Sequence, residues 1–492
     1  MIYDVVIAGA GLGGLECGYI LSKKGFNVCV LEKNPLPGGC LQTFARSGKL
    51  FDTGFHYVGG MDKGQPLNKL FEFFGLNSLP WHKLDSDGFD QVFISDKSYM
   101  FVNGYNNFLH KMCEYFPDSA ADLKTYTEFL KKVGTGIFNS FSGSGIDNFS
   151  DGSLFAHGAY EYLCNTLKNV SLQNVVSGTS LKMELNKEKL PLYTFAQINS
   201  SYIQSAYRIK GGGMQIARNL IDSIKSMGGT VMLNSEIEKF KEDGDKIGFA
   251  VLKNGSQIAG KYFISDIHPS VTVKLAQDTP FIRRIYKNRM NSLENGFGMF
   301  TVNISLKPGM LKYLNRNIYI HCDEDVWNEG QKLNDKSRCA LVSFVVPEKG
   351  DFAETVDILT PMLWSDVEKF NGSKVGRRGD EYETLKHNKA EELIGLADKY
   401  IPGLKNAVDK YYTSTPLTYS DYTSTVNGSV YGITKDYNKL MYTLLAPKTP
   451  APNLFLTGQN LNLHGILGVS MTSFFTCAEI AGEIPFRDQL VN

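Results

Sequence analysis

The stretch Val5-Val6-Ile7-Ala8-Gly9-Ala10-Gly11-Leu12-Gly13-Gly14 decides the fold of this chain. Its first four residues form an unbroken apolar run, which is typical of a strand buried on both faces. The glycines that follow complete a G-x-G-x-x-G pattern. In that pattern they permit a tight turn, let the backbone approach a pyrophosphate, and allow a helix to pack closely on the strand. The sequence therefore predicts a helix over residues 15–24 and a second strand over residues 26–31.

An acidic residue, Glu32, ends the second predicted strand. It lies at about the 20-residue distance at which a carboxylate accepts hydrogen bonds from the ribose of a bound dinucleotide. The free N–H groups at the start of the predicted helix favour the negative diphosphate. Strand, glycine turn, helix, strand and acid together predict a dinucleotide site, in preference to an ordinary tight turn between a strand and a helix.

The size and charge of the chain exclude several classes of protein. Its 492 residues are too many for a single hydrophobic core. Lysine plus arginine equals aspartate plus glutamate, at 51 each, so no net field attracts nucleic acid. The eight cysteines are scattered, which argues against a metal site or a disulfide framework. No apolar run reaches the length of a spanning helix. We expect a cytoplasmic protein that contacts a membrane, if at all, only at its surface.

Two excursions interrupt the nucleotide-binding part of the sequence. Helical periodicity over residues 214–227 and a hairpin signal at Asn254-Gly255 mark its return after the first excursion, and a further strand is predicted over residues 262–265. Within the first excursion, a helix is predicted over residues 118–132 with Asp118 as its N-cap. We predict a dinucleotide-binding domain from residues 1–84, 208–270 and 441–492, and a substrate domain from residues 85–207 and 271–440. The Gly/Ser-rich stretch 134–152 is either a mobile lid or an inert connector.

The last part of the chain repeats the order of strand, glycine turn and helix. An apolar strand is predicted over residues 453–457, followed by Gly458-Gln459 and a helix over residues 469–481. The N-terminus of this helix is suited to the N1 and O2 edge of a flavin, where its dipole stabilises negative charge. The alternative is a helix that only covers the sheet.

Taken together, these segments and the Pro37-Gly38-Gly39 loop resemble the amine oxidase and phytoene desaturase superfamily of FAD proteins. Residues 51–57, Phe-Asp-Thr-Gly-Phe-His-Tyr, and the Thr415-Pro416, Gly428 and Tyr431-Gly432 positions resemble the retinol saturase and carotenoid isomerase branch. The resemblance implies an α/β fold, with a Rossmann-like FAD-binding domain of the glutathione-reductase type and a discontinuous mixed α+β substrate domain. FAD is the implied cofactor, and no metal is implied.

The resemblance also places the cofactor on particular residues of this chain. These are Gly9, Gly11, Leu12, Gly13, Gly14, Glu32, Lys33, Gly38, Gly39, Cys40, Ile237, Gly458, Gln459, Gly468 and Val469. Two of them depart from the superfamily pattern. Many relatives carry arginine at the position of Cys40, and many carry an acid at the position of Gln459. The first departure removes a cationic contact, and the second leaves a group that can hydrogen-bond but has no charge.

The implied activity is that of an FAD-dependent oxidoreductase. We expect it to act on carbon–carbon bonds of an apolar isoprenoid or polyene, as a saturase, desaturase or isomerase, by hydride transfer at flavin N5. His56 and His464 are the candidate catalytic residues, and a structural hydrogen-bonding role is the alternative for each. The sequence does not identify the electron donor or acceptor. An amine oxidase on the same scaffold and a non-enzymatic carrier of prenyl groups are the alternative functions.

Overall fold

The computed structural model describes residues 2–142, 152–327 and 336–491. Residues 143–151, about half of the predicted Gly/Ser-rich stretch, lie outside the described residues. Among the described helices, none is both long enough and apolar enough to cross a membrane.

The strands and α-helices are numbered separately in chain order. The strands are β1 (Ile2–Ala8), β2 (Val28–Leu31), β3 (Thr43–Arg46), β4 (Lys49–Asp52), β5 (Val58–Gly59), β6 (Trp81–Lys83), β7 (Asp90–Ile94), β8 (Lys97–Phe101), β9 (Ala206–Ile209), β10 (Thr230–Met232), β11 (Ile237–Asp243), β12 (Lys246–Leu252), β13 (Gln257–Ser265), β14 (Gly298–Leu306), β15 (Asn317–His321), β16 (Cys339–Phe344), β17 (Thr355–Met362), β18 (Val408–Ser414) and β19 (Leu454–Leu456). The helices are α1 (Leu12–Lys23), α2 (Pro66–Phe74), α3 (Tyr105–Tyr115), α4 (Ala120–Thr135), α5 (Gly152–Phe155), α6 (Ala159–Thr166), α7 (Val170–Ser177), α8 (Leu192–Gln204), α9 (Met214–Ser226), α10 (Pro269–Leu275), α11 (Arg284–Ser292), α12 (Asp380–Tyr400), α13 (Leu404–Ala407), α14 (Pro416–Thr423), α15 (Leu440–Thr443), α16 (Gly465–Ala481) and α17 (Arg487–Val491).

The first sheet contains the predicted nucleotide-binding strands. Its order is β10-β2-β1-β13-β12-β11. Strand β19 lies outside this order and pairs with β13. Strands β10, β2, β1, β13 and β19 are parallel to their neighbours in this set, whereas β11 and β12 add an antiparallel hairpin. The carboxyl ends of β1, β13 and β19 therefore lie side by side, although their residues are far apart in the sequence.

The second sheet is mixed, with the order β18-β14-β17-β16-β15-β7-β8. Strands β7 and β15 are parallel, and the other pairs are antiparallel. Strand β14 is buried along its whole length, and the buried side of α12 packs against β16 and β17. The predicted α/β class, with a Rossmann-like sheet and a second mixed sheet, is confirmed. The residue boundaries of the two domains stay a prediction.

Several local predictions need correction. Residues 262–265 are not a separate strand, because β13 runs without interruption from Gln257 to Ser265. Asp118 is not the N-cap of α4, because it lies in a preceding turn of 3-10 helix, Pro117–Ser119, and α4 begins at Ala120. The final helix begins at Gly465, four residues before the predicted start.

Helix α1 is clamped between the first sheet and α16. Its residues from Leu12 to Ser22 are all buried, including the carboxyl of Glu16. That carboxyl accepts hydrogen bonds from the hydroxyls of Ser470 and Ser473 on α16, at 2.6 and 3.2 Å. Burial raises the pKa of Glu16 to about 8, so it is neutral at pH 7 and brings no charge into the interface.

Gly14 fixes how closely α1 approaches β1. A β-carbon at this position would lie 2.1 Å from the carbonyl oxygen of Gly9, which is backbone and has no freedom to move aside. We expect Gly14→Ala to lower the free energy of unfolding by about 3 kcal/mol through overpacking. Thermal unfolding of the purified variant measures this.

Gly395→Ala is the matched control for this prediction. Gly395 lies in α12, and a β-carbon there would meet no atom within 4 Å. Alanine in a helix is more favourable than glycine by about 1 kcal/mol, so this variant should melt at or above the parent temperature. Equal melting temperatures for Gly14→Ala and the parent would contradict the packing argument.

Candidate functional site

The glycine turn opens into a cavity of about 430 Å³. Strand β1 ends at Ala8, Gly9 has a left-handed φ of 98°, and α1 begins at Leu12. Gly9, Gly11, Leu12 and Gly13 all line the cavity. The backbone therefore reaches the cavity wall without side chains, as a bound diphosphate requires.

Most of the predicted cofactor residues line this same cavity. They are Gly9, Gly11, Leu12, Gly13, Glu32, Lys33, Gly38, Gly39, Cys40, Ile237, Gly458, Gln459 and Val469. Gly14 and Gly468 are not among the lining residues. A β-carbon on Gly468 would lie 2.4 Å from the carbonyl oxygen of Leu463, so both glycines are required for backbone packing behind the cavity.

The acid at the end of β2 is held in place by backbone donors. The N–H of Ala10 donates to one carboxylate oxygen of Glu32 at 3.0 Å, and the N–H of Asn34 donates to the other at 2.8 Å. Each oxygen keeps a lone pair for a further donor, such as a ribose hydroxyl. The side chain of Lys33 instead donates to the hydroxyl of Ser424 and the carbonyl of Asp421.

Ile237, which the resemblance implies as a cofactor residue, lies in the second strand after α9. The strand that follows α9 is β10, and Ile237 begins β11. It nevertheless lines the cavity, at the side formed by Ser235, Glu236 and Leu275.

The sequence analysis missed Asp266, which follows the last residue of β13. A β-carbon on Gly11 would lie 2.5 Å from its Oδ2, and β-carbons on Gly13 and Gly458 would lie 2.7 and 2.4 Å from its Oδ1. Its carboxyl group therefore lies among three glycines of the predicted diphosphate region. The rule that ligands bind beyond the carboxyl ends of parallel strands pointed to this position, but the pairing of β13 with β1 was needed to use it.

The surroundings of Asp266 are acidic. Burial, with a smaller contribution from the charge of Glu32, raises its pKa to about 7, although a hydrogen bond from the N–H of Gly14 opposes the rise. Glu16 and the Cys40 thiol are the other titratable groups coupled to it. Cys40 also occupies the position at which the superfamily pattern often has arginine. Among the described residues, no cation contributes to the shifted pKa of the Asp266 carboxyl.

We call the part of the cavity lined by Gly9, Gly11, Gly13 and Gly458 the glycine cradle. Another part of the cavity, the chamber, is mainly apolar and aromatic. This part is lined by Tyr57, Leu181, Tyr202, Met299, Leu341, Leu359, Tyr419, Val430 and Tyr431. These side chains come from the second sheet and from the segments around it. The cavity therefore joins a backbone-lined polar region to an apolar chamber.

His56 lines the same cavity. Its Nδ1 is 3.7 Å from Oδ2 of Asp357, and its Nε2 is buried without a hydrogen-bond partner in the part of the chain that the structure describes. Asn303 donates to Oδ1 of Asp357 at 2.6 Å. Burial lowers the pKa of His56 to about 4, with the charge of Arg208 adding to the effect, and burial raises that of Asp357 to about 7.

His464 is placed differently. It is the N-cap residue of α16, its Nε2 is 3.0 Å from the carbonyl oxygen of Lys182, and its ring packs on Tyr431 with a centroid separation of 4.5 Å. Burial lowers its pKa to about 4, so the ring is neutral and Nε2 donates to the carbonyl. This geometry favours the structural alternative for His464.

Comparison with known proteins gives a family and several relatives. A family described as "NAD(P)-binding Rossmann-like domain" matches residues 7–74. All-trans-retinol 13,14-reductase of Rattus norvegicus is 27% identical over 515 aligned residues, which cover 94% of this chain and 83% of the relative. Prolycopene isomerase 2, chloroplastic, of an Oncidium hybrid cultivar is 22% identical, covering 99% and 85%.

Among solved structures, a putrescine oxidase bound to putrescine aligns with a TM-score of 0.66 and 14% identity, over 98% of this chain and all of that one. At this identity the likeness concerns the fold alone. The comparisons confirm the resemblance to the amine oxidase and desaturase superfamily, and they support a dinucleotide cofactor.

The position of Asp266 predicts that cofactor retention depends on pH. The neutral carboxyl can donate to a diphosphate oxygen, whereas the carboxylate repels it. Affinity for the dinucleotide should therefore be constant below pH 7 and fall by up to about tenfold per pH unit above it, as one proton is linked to binding. Cofactor retained after dialysis at pH 6 to 9 measures this.

Asp266→Asn should abolish this pH dependence, because an amide donates at every pH. Asp409→Asn, on the exposed part of β18, is the matched control and should titrate like the parent. The same pH profile for Asp266→Asn and the parent would show that the linked proton is elsewhere.

Proposed function

We propose that this chain is an FAD-dependent oxidoreductase that acts on a carbon–carbon double bond of an apolar polyene or isoprenoid. One observation carries the proposal: the glycine-lined cradle and the apolar chamber belong to one cavity. A substrate in the chamber thus lies next to the ring end of a cofactor held in the cradle. The retinol reductase and prolycopene isomerase relatives, which match nearly the whole chain, support the same substrate class.

The residues present fit FAD. Gly9, Gly11 and Gly13 leave room for a diphosphate at the start of α1, and Glu32 can accept from the adenosine ribose. The N-terminus of α16 meets the cavity at Gly465 and Ile466, where its dipole suits the flavin pyrimidine edge. When bound, FAD supplies hydride exchange. The chain itself has to orient the substrate, exclude water and manage a proton.

His56 is the residue best placed to manage that proton. Its unpartnered Nε2 can hold or give a proton at the cavity wall, while Asp357 lies behind Nδ1 within ion-pair distance. Hydrogen bonds of catalytic groups are often long before a ligand binds. Since the pKa of Asp357 is about 7, this acid can supply or take up a proton at neutral pH.

The amine oxidase alternative has less support. It rests on structural likeness at 14% identity, which carries the fold and not the substrate. The described wall of the chamber is mainly apolar, which suits a hydrocarbon chain better than a diamine.

Turnover of a polyene tests the proposal directly. The FAD-loaded protein, reduced under anaerobic conditions and incubated with all-trans-retinol, should yield a product with one double bond fewer, detected by chromatography and mass spectrometry. Release of hydrogen peroxide from primary or secondary amines, with no change in retinol or a carotenoid, would favour the amine oxidase instead.

His56→Gln should reduce kcat by about 100-fold, the lower range for loss of a general acid or base, while KM and FAD content stay near the parent values. His110→Gln, an exposed position on α3, is the control and should be fully active. Parent-like kcat in His56→Gln would assign the proton to another group.

A further inference from the structure

A second, smaller cavity of about 60 Å³ adjoins the main one. The two share several wall residues, among them Val58, Lys182 and Tyr202. The small cavity is far below the roughly 300 Å³ of a typical ligand pocket. It has room for the end of a molecule whose body lies in the main chamber.

The small cavity contains a buried amide without partners. Gln197 lies on α8, is 1% exposed, and lines this cavity. Neither its Oε1 nor its Nε2 has a hydrogen-bond partner within the described residues. Buried polar groups in folded proteins are nearly always hydrogen-bonded, so an amide with both groups free indicates a missing polar partner. Ser201, one turn further along α8, lines the same wall.

Lys182 also lines the small cavity. Its side chain is 5% exposed, and its Nζ lies 3.2 Å from Oδ2 of Asp90, which is fully buried. It also lies 4.0 Å from the ring centroid of Tyr202. An ammonium has three donors, and among the described residues Lys182 donates to one side chain, that of Asp90.

The carboxylate of Asp90 is already well satisfied. It accepts from the hydroxyl of Tyr57 at 2.8 Å and from Nδ2 of Asn317 at 2.8 Å, in addition to Lys182. The pair of Lys182 and Asp90 is neutral overall. A second carboxylate in the small cavity would lack its own cation and be costly to bury, whereas a neutral hydroxyl can both accept from Lys182 and donate to Gln197.

We propose that the small cavity binds a terminal hydroxyl group of the substrate, with Lys182 donating to its oxygen and the Gln197 carbonyl accepting its proton. The substrate is then a polyene alcohol and not a pure hydrocarbon. The inference rests on the proposed function for the choice of a polyene. It also separates the two kinds of relative, because retinol ends in a hydroxyl and prolycopene is a hydrocarbon.

A pair of ligands that differ in one group tests the inference. All-trans-retinol and the hydrocarbon in which CH3 replaces its terminal CH2OH are each bound to the FAD-loaded protein, and the dissociation constants are measured by equilibrium dialysis. The parent should prefer retinol by about tenfold or more, as expected for a hydrogen bond that involves a charged donor.

Gln197→Met keeps the size of the side chain and removes its polar atoms but leaves the Lys182 contact, so the preference for retinol should fall by about three- to tenfold, as expected for the loss of one hydrogen bond. Thr194→Val is the matched control: Thr194 lies on the same helix, its buried Oγ1 is also without a partner among the described residues, and it lines neither cavity. This variant should keep the full preference. Because Lys182→Met leaves Asp90 buried without its cation, it serves only as a second variant, with FAD content as the folding check.

Each outcome bears on a different claim. Equal binding of the two ligands by the parent, or an undiminished preference in Gln197→Met, would overturn the hydroxyl site and leave the proposed function intact. A preference unchanged in Gln197→Met together with an altered flavin absorbance spectrum would assign the amide to the cofactor, which also overturns it. Binding of neither ligand by the parent would count against the proposed function itself, and the hydroxyl site would fall with it.

Discussion

The parallel pairing of β1, β13 and β19 is the constraint on which the rest of the structure depends. In the register of these strands, Ile7 is paired with Ile264, and Ile264 is paired with Phe455. Because all three strands point the same way, their carboxyl ends deliver Gly9, Asp266 and Gly458 to one place. No local interaction does this, since these residues are separated by some two hundred positions of chain. The glycine turn is a cradle only because β13 and β19 close two of its sides.

That convergence has an electrostatic consequence. A diphosphate brings negative charge to a region where Glu16, Glu32 and Asp266 are already close. Helix N-termini favour anions but offset only part of such repulsion. Burial reduces the conflict for two of the acids, because desolvation raises their pKa values, which leaves Glu16 mainly neutral and Asp266 about half neutral at pH 7. Glu32 is fixed by two backbone donors and keeps lone pairs for a further donor. The position of Cys40 carries no arginine to offset negative charge, and the raised pKa values of Glu16 and Asp266 reduce the negative charge in this region.

The sequence predicted those parts of the fold and site that local patterns encode. The glycine spacing, Glu32, the Asn254-Gly255 hairpin and the terminal strand–turn–helix each depend on a few adjacent residues, and each is present. Asp266, Gln197, Lys182 and Asp357 could not be identified in this way. Each lies in a segment with an ordinary pattern. Only tertiary pairing brings Asp266, Gln197 and Lys182 to a cavity wall and Asp357 next to His56. Asp118 was misassigned because Pro117 starts a short 3-10 turn that satisfies the chain before α4 begins. The merged strand β13 was divided because Gly260 interrupts its apolar alternation.

In the second sheet, the acids next to His56 and Lys182 are held in the same way, each by an asparagine of the neighbouring strand. On β17, Asp357 stands directly opposite Asn303 of β14, and on β7, Asp90 stands directly opposite Asn317 of β15. In each pair the asparagine amide donates to the acid, at 2.6 and 2.8 Å. Each acid in turn faces one basic side chain at the cavity wall, His56 in the first case and Lys182 in the second. A carboxyl held by its neighbouring strand has little freedom to move, so the basic group that it faces is held as well. A mixed sheet with a continuous buried face thus carries two fixed polar points in an apolar chamber. With the distance between them set by the strands, one point can orient the end of a long substrate while the other manages a proton at the cradle.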